Sequence, residues 1–246
     1  MTKPLIKLSK LEMVYPPATG HFKSALHQLT NLVIRDKTYK AKAAPAGLGS
    51  VSIEIHCGEK VGLIGHNGAG KTTLLKVLAG IYEPTNGEMV IQGEVKALFD
   101  LSLGFEPDAS GRANIRYRGL LLGLTPNVIS ALTDEIIEFA DLGTSIDHPV
   151  KTYSAGMLVR LAFAITTATR AEILLLDEVV AAGDAPFLKK ARDRLDSLVK
   201  SASILVLATH DTAALRTLCS RGVVLEAGEI AYDGPIDKAL SYYSQT

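Results

Sequence analysis

Nine consecutive residues, Gly65-His66-Asn67-Gly68-Ala69-Gly70-Lys71-Thr72-Thr73, spell the pattern G-x-x-x-x-G-K-[ST], the P-loop. Glycines at these spacings let the backbone wrap closely around phosphate. Peptide N–H groups and the positive end of the following helix then point at the anion. In such a loop the Lys71 ammonium reaches the β- and γ-phosphates, and the Thr72 hydroxyl is offered to Mg²⁺. The pattern needs a strand before it and a helix after it. Lys60-Val61-Gly62-Leu63-Ile64 reads as a short buried strand, and Thr73-Leu74-Leu75-Lys76-Val77-Leu78-Ala79 has helical apolar spacing. The alternative, a chance glycine-rich turn, does not require either flank.

Two further stretches end in residues that suit the same chemistry. Ile173-Leu174-Leu175-Leu176 is a continuous apolar run, as in strands buried on both faces, and it closes on Asp177-Glu178. Ligands of open α/β sheets bind at the carboxyl ends of strands. Asp177 therefore fits the role of holding Mg²⁺, directly or through water, and Glu178 is placed to polarise a water for in-line attack on the γ-phosphate. The bland alternative is a pair of solvated carboxylates at a strand end. Ser203-Ile204-Leu205-Val206-Leu207-Ala208 is a second buried strand, and it runs into Thr209-His210-Asp211. His210 can face the same phosphates from there; a satisfied surface histidine is the competing reading.

The elements that must position these residues read as an α/β chain. Residues 5–15 alternate apolar and polar as one strand or two, until Pro16-Pro17. Residues 16–48 form a weakly patterned insert with room for a short helix around 23–34. Its basic run Arg35-Asp36-Lys37-Thr38-Tyr39-Lys40-Ala41-Lys42 reads as a solvated face. Val51-Ser52-Ile53-Glu54-Ile55 alternates as a strand, and Glu88 to Val95 read as strands of an antiparallel edge. A helical block follows over residues 105–165, punctuated by Pro107, Pro126 and Pro149, with an amphipathic stretch from Asn127 to Ala140. Helices are expected over 186–200, 212–219 and 235–243, with a hairpin over 222–234 that turns near Ala227-Gly228. The fold class is a P-loop NTPase core with an antiparallel β edge and an inserted helical subdomain, in a single domain over 1–246.

Composition narrows the partners. The 26 basic and 26 acidic residues among 246 cancel, which gives no global pull toward nucleic acid or anionic lipid. The chain is 47% hydrophobic and 21% charged, ordinary for a globular protein. Cys57 and Cys219 lie far apart with no C-x-x-C, so neither a metal site nor a disulfide framework is suggested, and both are expected to be reduced in a cytosolic chain. No signal-peptide pattern opens the chain, and no apolar run approaches the ~20 residues of a membrane span. A membrane role is thus expected to run through a partner.

With these motifs in order from Leu5 to Tyr243, the chain resembles the nucleotide-binding subunit of an ATP-binding cassette (ABC) transporter. Tyr153-Ser154-Ala155-Gly156-Met157 resembles the family signature L-S-G-G-Q, matching at Ser154 and Gly156 and departing at the other three positions. On its own, Ser154 is an ordinary helix N-cap. The resemblance implies that Ser154 and Gly156 present a helix N-terminus to the γ-phosphate bound by a second copy of the chain. It also implies that Asp184, in Ala181-Ala182-Gly183-Asp184, lies in a D-loop at the dimer interface. The aromatic that stacks on adenine falls at Tyr15, where a core or turn tyrosine fits equally. The family's Q-loop glutamine has no counterpart between Ala97 and Pro107, and Asp100 or Ser102 stands in its place as the metal-side contact.

That departure, together with Gly104-Phe105-Glu106-Pro107, Gly111-Arg112-Ala113-Asn114-Ile115 and Gly119-Leu120-Leu121-Leu122-Gly123, resembles the branch that exports polysaccharides such as O-antigen, capsule or teichoic acid. The resemblance implies ATP and Mg²⁺ as cofactors and a homodimer under an integral-membrane permease. It implies a lipid-linked polysaccharide as cargo, no nucleic acid, and a place at the cytoplasmic face of the inner membrane. Ending at Thr246, the chain looks like the short form, without a carbohydrate-binding domain. Three rivals stand beside this reading: another ABC transporter class, a soluble ABC ATPase, and a P-loop kinase that phosphorylates a small acceptor.

Overall fold

The computed structural model describes residues 3–15, 46–99, 104–177 and 185–245. Two sheets and seven helices are built from them. Strands β1 (Leu5–Val14), β2 (Ala46–His56) and β4 (Asn86–Gln92) form an antiparallel sheet in the order β2-β1-β4. Strands β3 (Lys60–Ile64), β5 (Val95–Leu98), β6 (Ile173–Asp177), β7 (Ile204–Ala208), β8 (Arg221–Glu226) and β9 (Glu229–Pro235) form the second sheet. Its order is β5-β6-β7-β3-β8-β9, and it is parallel except for the final hairpin. The helices are α1 (Lys71–Leu78), α2 (Gly111–Leu121), α3 (Pro126–Ala140), α4 (Ala155–Thr167), α5 (Ala185–Ser201), α6 (Thr212–Leu218) and α7 (Ile236–Tyr243).

Apolar alternation explains the layers. In β6, Ile173 and Leu175 enter one core while Leu174 and Leu176 enter another, so this strand is covered on both faces. The first core lies between the antiparallel sheet, the parallel sheet and α1, whose Leu74, Leu75, Val77 and Leu78 are buried. The second lies on the opposite face, under Leu198 and Val199 of α5, Leu215 of α6, and Ile236, Ala239 and Leu240 of α7. A third core belongs to the helical block. Phe139, Phe163 and Phe187 pack there with ring centroids 5.9–6.0 Å apart, joining α3, α4 and the start of α5.

Two expectations change. The expected insert of residues 16–48 ends earlier, because residues 46–48 belong to β2. Leu48 is 1% exposed and pairs with Met13, and this cross-strand burial overrides the small-residue sequence around it. Residues 16–45, including the helix expected around 23–34, lie outside the described residues. Val95 does not extend the antiparallel strands. Gly93, at φ 116°, breaks the chain after β4, and β5 then pairs in parallel with β6. As the N-cap reading of Ser154 expects, α4 begins at Ala155.

β1 also explains why its alternation is imperfect. Ile6 and Leu8 are buried, then Leu11 and Met13, so the phase shifts by one residue. The shift is a bulge with Lys10 at φ 48°, which lets both halves face the same core.

Candidate nucleotide site

The loop after β3 is shaped by two glycines. A Cβ on Gly65, at φ 154°, would sit 2.4 Å from the Leu225 carbonyl oxygen, so only glycine allows the chain to leave β3 here. Gly70 caps α1 in a left-handed conformation at φ 105°, and a Cβ there would lie 2.9 Å from the Gly47 carbonyl oxygen. Among the described residues no side chain caps α1, and no acidic residue stands in its first turn. A helix end of this kind offers its leading N–H groups to an anion. The loop is held from behind by the hairpin turn, where Gly228 N–H donates to the Ala69 carbonyl at 3.0 Å.

Two side chains of α1 carry the charge and the metal-type oxygen. Lys71 Nζ donates to the carbonyls of Gly65 at 2.5 Å and His66 at 3.1 Å, so the ammonium lies within the curl of the loop. The Thr72 hydroxyl donates to Asp177 Oδ2 at 2.7 Å. A hydroxyl from α1 and a carboxylate from the end of β6 thus meet beside the loop. That pairing of hard oxygen donors fits Mg²⁺, which is held through one or two such ligands plus phosphates and water. Among the described residues, no group of three or more His, Cys, Asp and Glu could hold a metal ion without such help.

One cavity of about 390 Å³ gathers these groups. Its loop wall is Asn67, Gly68, Gly70 and Lys71, and its α1 wall is Thr72 and Thr73. The strand-end wall is Asp177, with Ala208 at the end of β7 and Thr209 and His210 just beyond it. Tyr15 and Gly47 close the remaining side. The Tyr15 ring lies directly over Gly47, where an added Cβ would be 2.7 Å from Cε2. Its hydroxyl is 2.8 Å from Thr73 Oγ1, and Tyr82 meets its ring edge-on at 5.8 Å between centroids. Tyr15 is thus both packed against the first core and part of the cavity wall. The residues the motifs pick out nearest the cavity converge. Gly47 and Thr209 join them unannounced by any motif.

The signature-like stretch lies elsewhere. Ser154 is exposed and its Oγ accepts from Met157 N–H at 3.2 Å, capping the 13-residue helix α4. Among the described residues, the nearest atom to a Cβ added at Gly156 is Ser154 Oγ, at 3.9 Å. Neither residue lines the cavity of Lys71. The start of α4 is fixed by Arg160, which donates to the Ala140 carbonyl at 2.9 Å and to Asp141 Oδ2 at 3.0 Å. The approach to Ser154 is stitched to the loop at Glu106–Ser110. Val150 N–H donates to Ala109 O and Lys151 N–H to Pro107 O, both at 2.9 Å, while Asn114, fully buried, bonds Glu106 N–H and three carbonyls. Glu178, Asp184, Asp100 and Ser102 lie outside the described residues.

Comparisons with known proteins agree with this geometry. Residues 48–181 match the family described as "ABC transporter". The O-antigen export system ATP-binding protein RfbE of Yersinia enterocolitica is 40% identical over 228 residues, which cover 92% of this chain and 95% of that one. The O-antigen export system ATP-binding protein RfbB of Myxococcus xanthus is 41% identical over 198 residues, covering 80% of this chain but 45% of that longer one. Among solved structures, the dimeric structure of an ATP-binding cassette in a post-hydrolysis state, bound to ADP and Pi, superposes with a TM-score of 0.67 at 20% identity. It covers 94% of this chain and 98% of that one.

Proposed function

The chain belongs to the ABC transporter family as an ATP-hydrolysing, ATP-binding subunit, and from that premise we propose that it powers export of a lipid-linked polysaccharide of the O-antigen class. The observation that carries the reading is the 40% identity to an O-antigen export subunit along 95% of that protein's length. The chain acts as one nucleotide-binding domain over 1–246, with a helical subdomain over 105–165.

In this reading the loop N–H groups and Lys71 bind the phosphates of ATP, and Tyr15 stacks on adenine. Thr72 and Asp177 would hold Mg²⁺, which would supply positive charge beside the phosphates. Glu178 orients the attacking water, and His210 approaches the γ-phosphate from beyond β7. Two copies meet face to face, with Ser154 and Gly156 of each capping the triphosphate bound by the other. The exposed helix N-terminus and the open space over Gly156 support that arrangement, because an anion placed there meets uncrowded N–H groups.

Among the described residues, no helix is long and apolar enough to cross a membrane. In this reading the permease is a separate chain, and the subunit works at its cytoplasmic face. The end of α2 supports the place of contact. Leu121 is 73% exposed, beside exposed Tyr117, Leu120 and Leu122, an apolar cluster of the kind that marks an interaction surface. The stitched unit of residues 106–114 and 149–153 then carries permease motion to Ser154.

The test is ATPase activity in proteoliposomes with a co-expressed multi-span permease, with and without a polysaccharide on its lipid carrier. Carrier-dependent stimulation of phosphate release is expected. Transfer of phosphate to a small acceptor, with no stimulation, would replace this reading with a kinase.

A further inference from the structure

The last helix touches the phosphate loop. Tyr243, at the end of α7, has its ring 4.9 Å from the His66 imidazole between centroids, and its hydroxyl is 3.2 Å from His66 Nδ1. His66 is the first residue of the loop after Gly65, and its carbonyl accepts from both Lys71 Nζ and Ala69 N–H at 3.1 Å. One residue is thus gripped from inside by the lysine and from outside by the tyrosine.

The outer grip is rigid. Ile236, Ala239 and Leu240 bury α7 against the parallel sheet, and the neighbouring Tyr242 stacks on Tyr232 of β9 at 5.4 Å. The inner grip is temporary, because Lys71 must leave the His66 carbonyl to reach phosphate. When it does, the exposed His66 still has, among the described residues, the Tyr243 ring and hydroxyl and the Ala69 bond to hold the curl of the loop. We propose that Tyr243 is a positioning residue that braces the phosphate loop through His66, so that the C-terminal helix preorganises the site for the triphosphate. A loop already curled does not have to be ordered by the ligand, and the gain appears as affinity.

The proposal rests on the phosphate-loop reading of residues 65–72, and the experiment separates the two. Steady-state ATPase and ATP binding are measured for Tyr243→Ala, Tyr243→Phe, His66→Ala, the Tyr243→Ala/His66→Ala double variant and Lys71→Ala, with circular dichroism melts to establish folding. Tyr243→Ala is expected to raise KM for ATP by about five-fold, the effect of one lost aromatic pair with its hydrogen bond, with kcat little changed. Tyr243→Phe keeps the ring and falls between. His66→Ala gives the same rise, and the double variant is no worse than the larger single one, because one contact is being removed twice. Wild-type KM in folded Tyr243→Ala, or additive effects in the double variant, overturns the brace. If Lys71→Ala alone abolishes binding in that case, the phosphate-loop reading stands without it; if Lys71→Ala also binds normally, both fall.

Discussion

Removing the Tyr15 ring should cost ATP affinity while leaving triphosphate affinity unchanged. The ring is already immobilised by the Thr73 hydroxyl at 2.8 Å, by the close floor of Gly47 and by the edge of Tyr82. Stacking a base on it therefore orders no side chain, and the full stacking term of about 1–3 kcal/mol is available. At tenfold per 1.4 kcal/mol, Tyr15→Ala should weaken ATP binding about 5- to 150-fold. Tyr15→Phe loses only the bond to Thr73, keeps the π-face, and should shift affinity by about threefold or less. Gly47→Val provides an independent route to the same result. Its Cβ would lie 2.7 Å from Tyr15 Cε2 and 3.1 Å from Thr73 Cγ2, and the backbone there is not left-handed, so the ring rather than the strand must yield. Isothermal titration with ATP and with inorganic tripolyphosphate separates base from phosphate binding. Tyr15→Ala and Gly47→Val should fall together on ATP and match wild type on tripolyphosphate. An ATP affinity of Tyr15→Ala within about twofold of wild type would refute the stacking argument and leave Tyr15 as a wall of the first core.

Other perturbations follow from the same geometry. Glu178→Gln should keep ATP binding and lose about 10²-fold or more in phosphate release, read by single-turnover assay; normal turnover removes Glu178 from the water-orienting role. Ser154→Arg should leave monomer binding of ATP intact and abolish an ATP-dependent dimer in light scattering, because the guanidinium fills the space over α4's first turn. Asn114→Ala should lower stability by about 2–3 kcal/mol in urea unfolding, since it removes the part-buried acceptor of the Glu106 N–H and the donor to three carbonyls. Burial pushes the Lys96 ammonium down to about 8 from its usual 10.5, although Nζ donates to the carbonyl and hydroxyl of Thr169. The unfolded chain thus holds this proton over a pH range where the folded chain has released it. Lys96's contribution to stability should rise from pH 8 toward 10.5, and Lys96→Met should flatten that part of the melting profile.

The parts of the site that could be read from sequence are those whose geometry is local. The phosphate loop is contiguous, and its strand and helix lie on either side of it. Asp177 is legible because a carboxylate that ends a continuous apolar run has one place to be in an α/β sheet. What sequence could not supply is set by contacts between distant residues. The start of β2 depends on Leu48 meeting Met13, and nothing in Pro45-Ala46-Gly47-Leu48-Gly49 has a strand period. Tyr15 is placed by Thr73, 58 residues on, and His66 meets Tyr243 across 177 positions. The bulge at Lys10 blurs the one alternation that would have fixed the first strand as continuous.

The two serine caps make the limit concrete. Ser110 and Ser154 both cap a helix by accepting from the N–H three residues on, at the same 3.2 Å, and each is followed within two positions by a glycine. Their local chemistry is the same. A Cβ on Gly111, however, would lie 2.3 Å from the Tyr153 hydroxyl and 2.9 Å from Ile146 Cδ1, so the first turn of α2 is sealed by protein. Over Gly156, among the described residues, the one atom within 4 Å of an added Cβ is Ser154 Oγ. The difference between a structural cap and a helix end that can receive an anion is therefore the space in front of it. That space is set by how α4 leans on Arg160 and Asp141, not by the residues that form the cap.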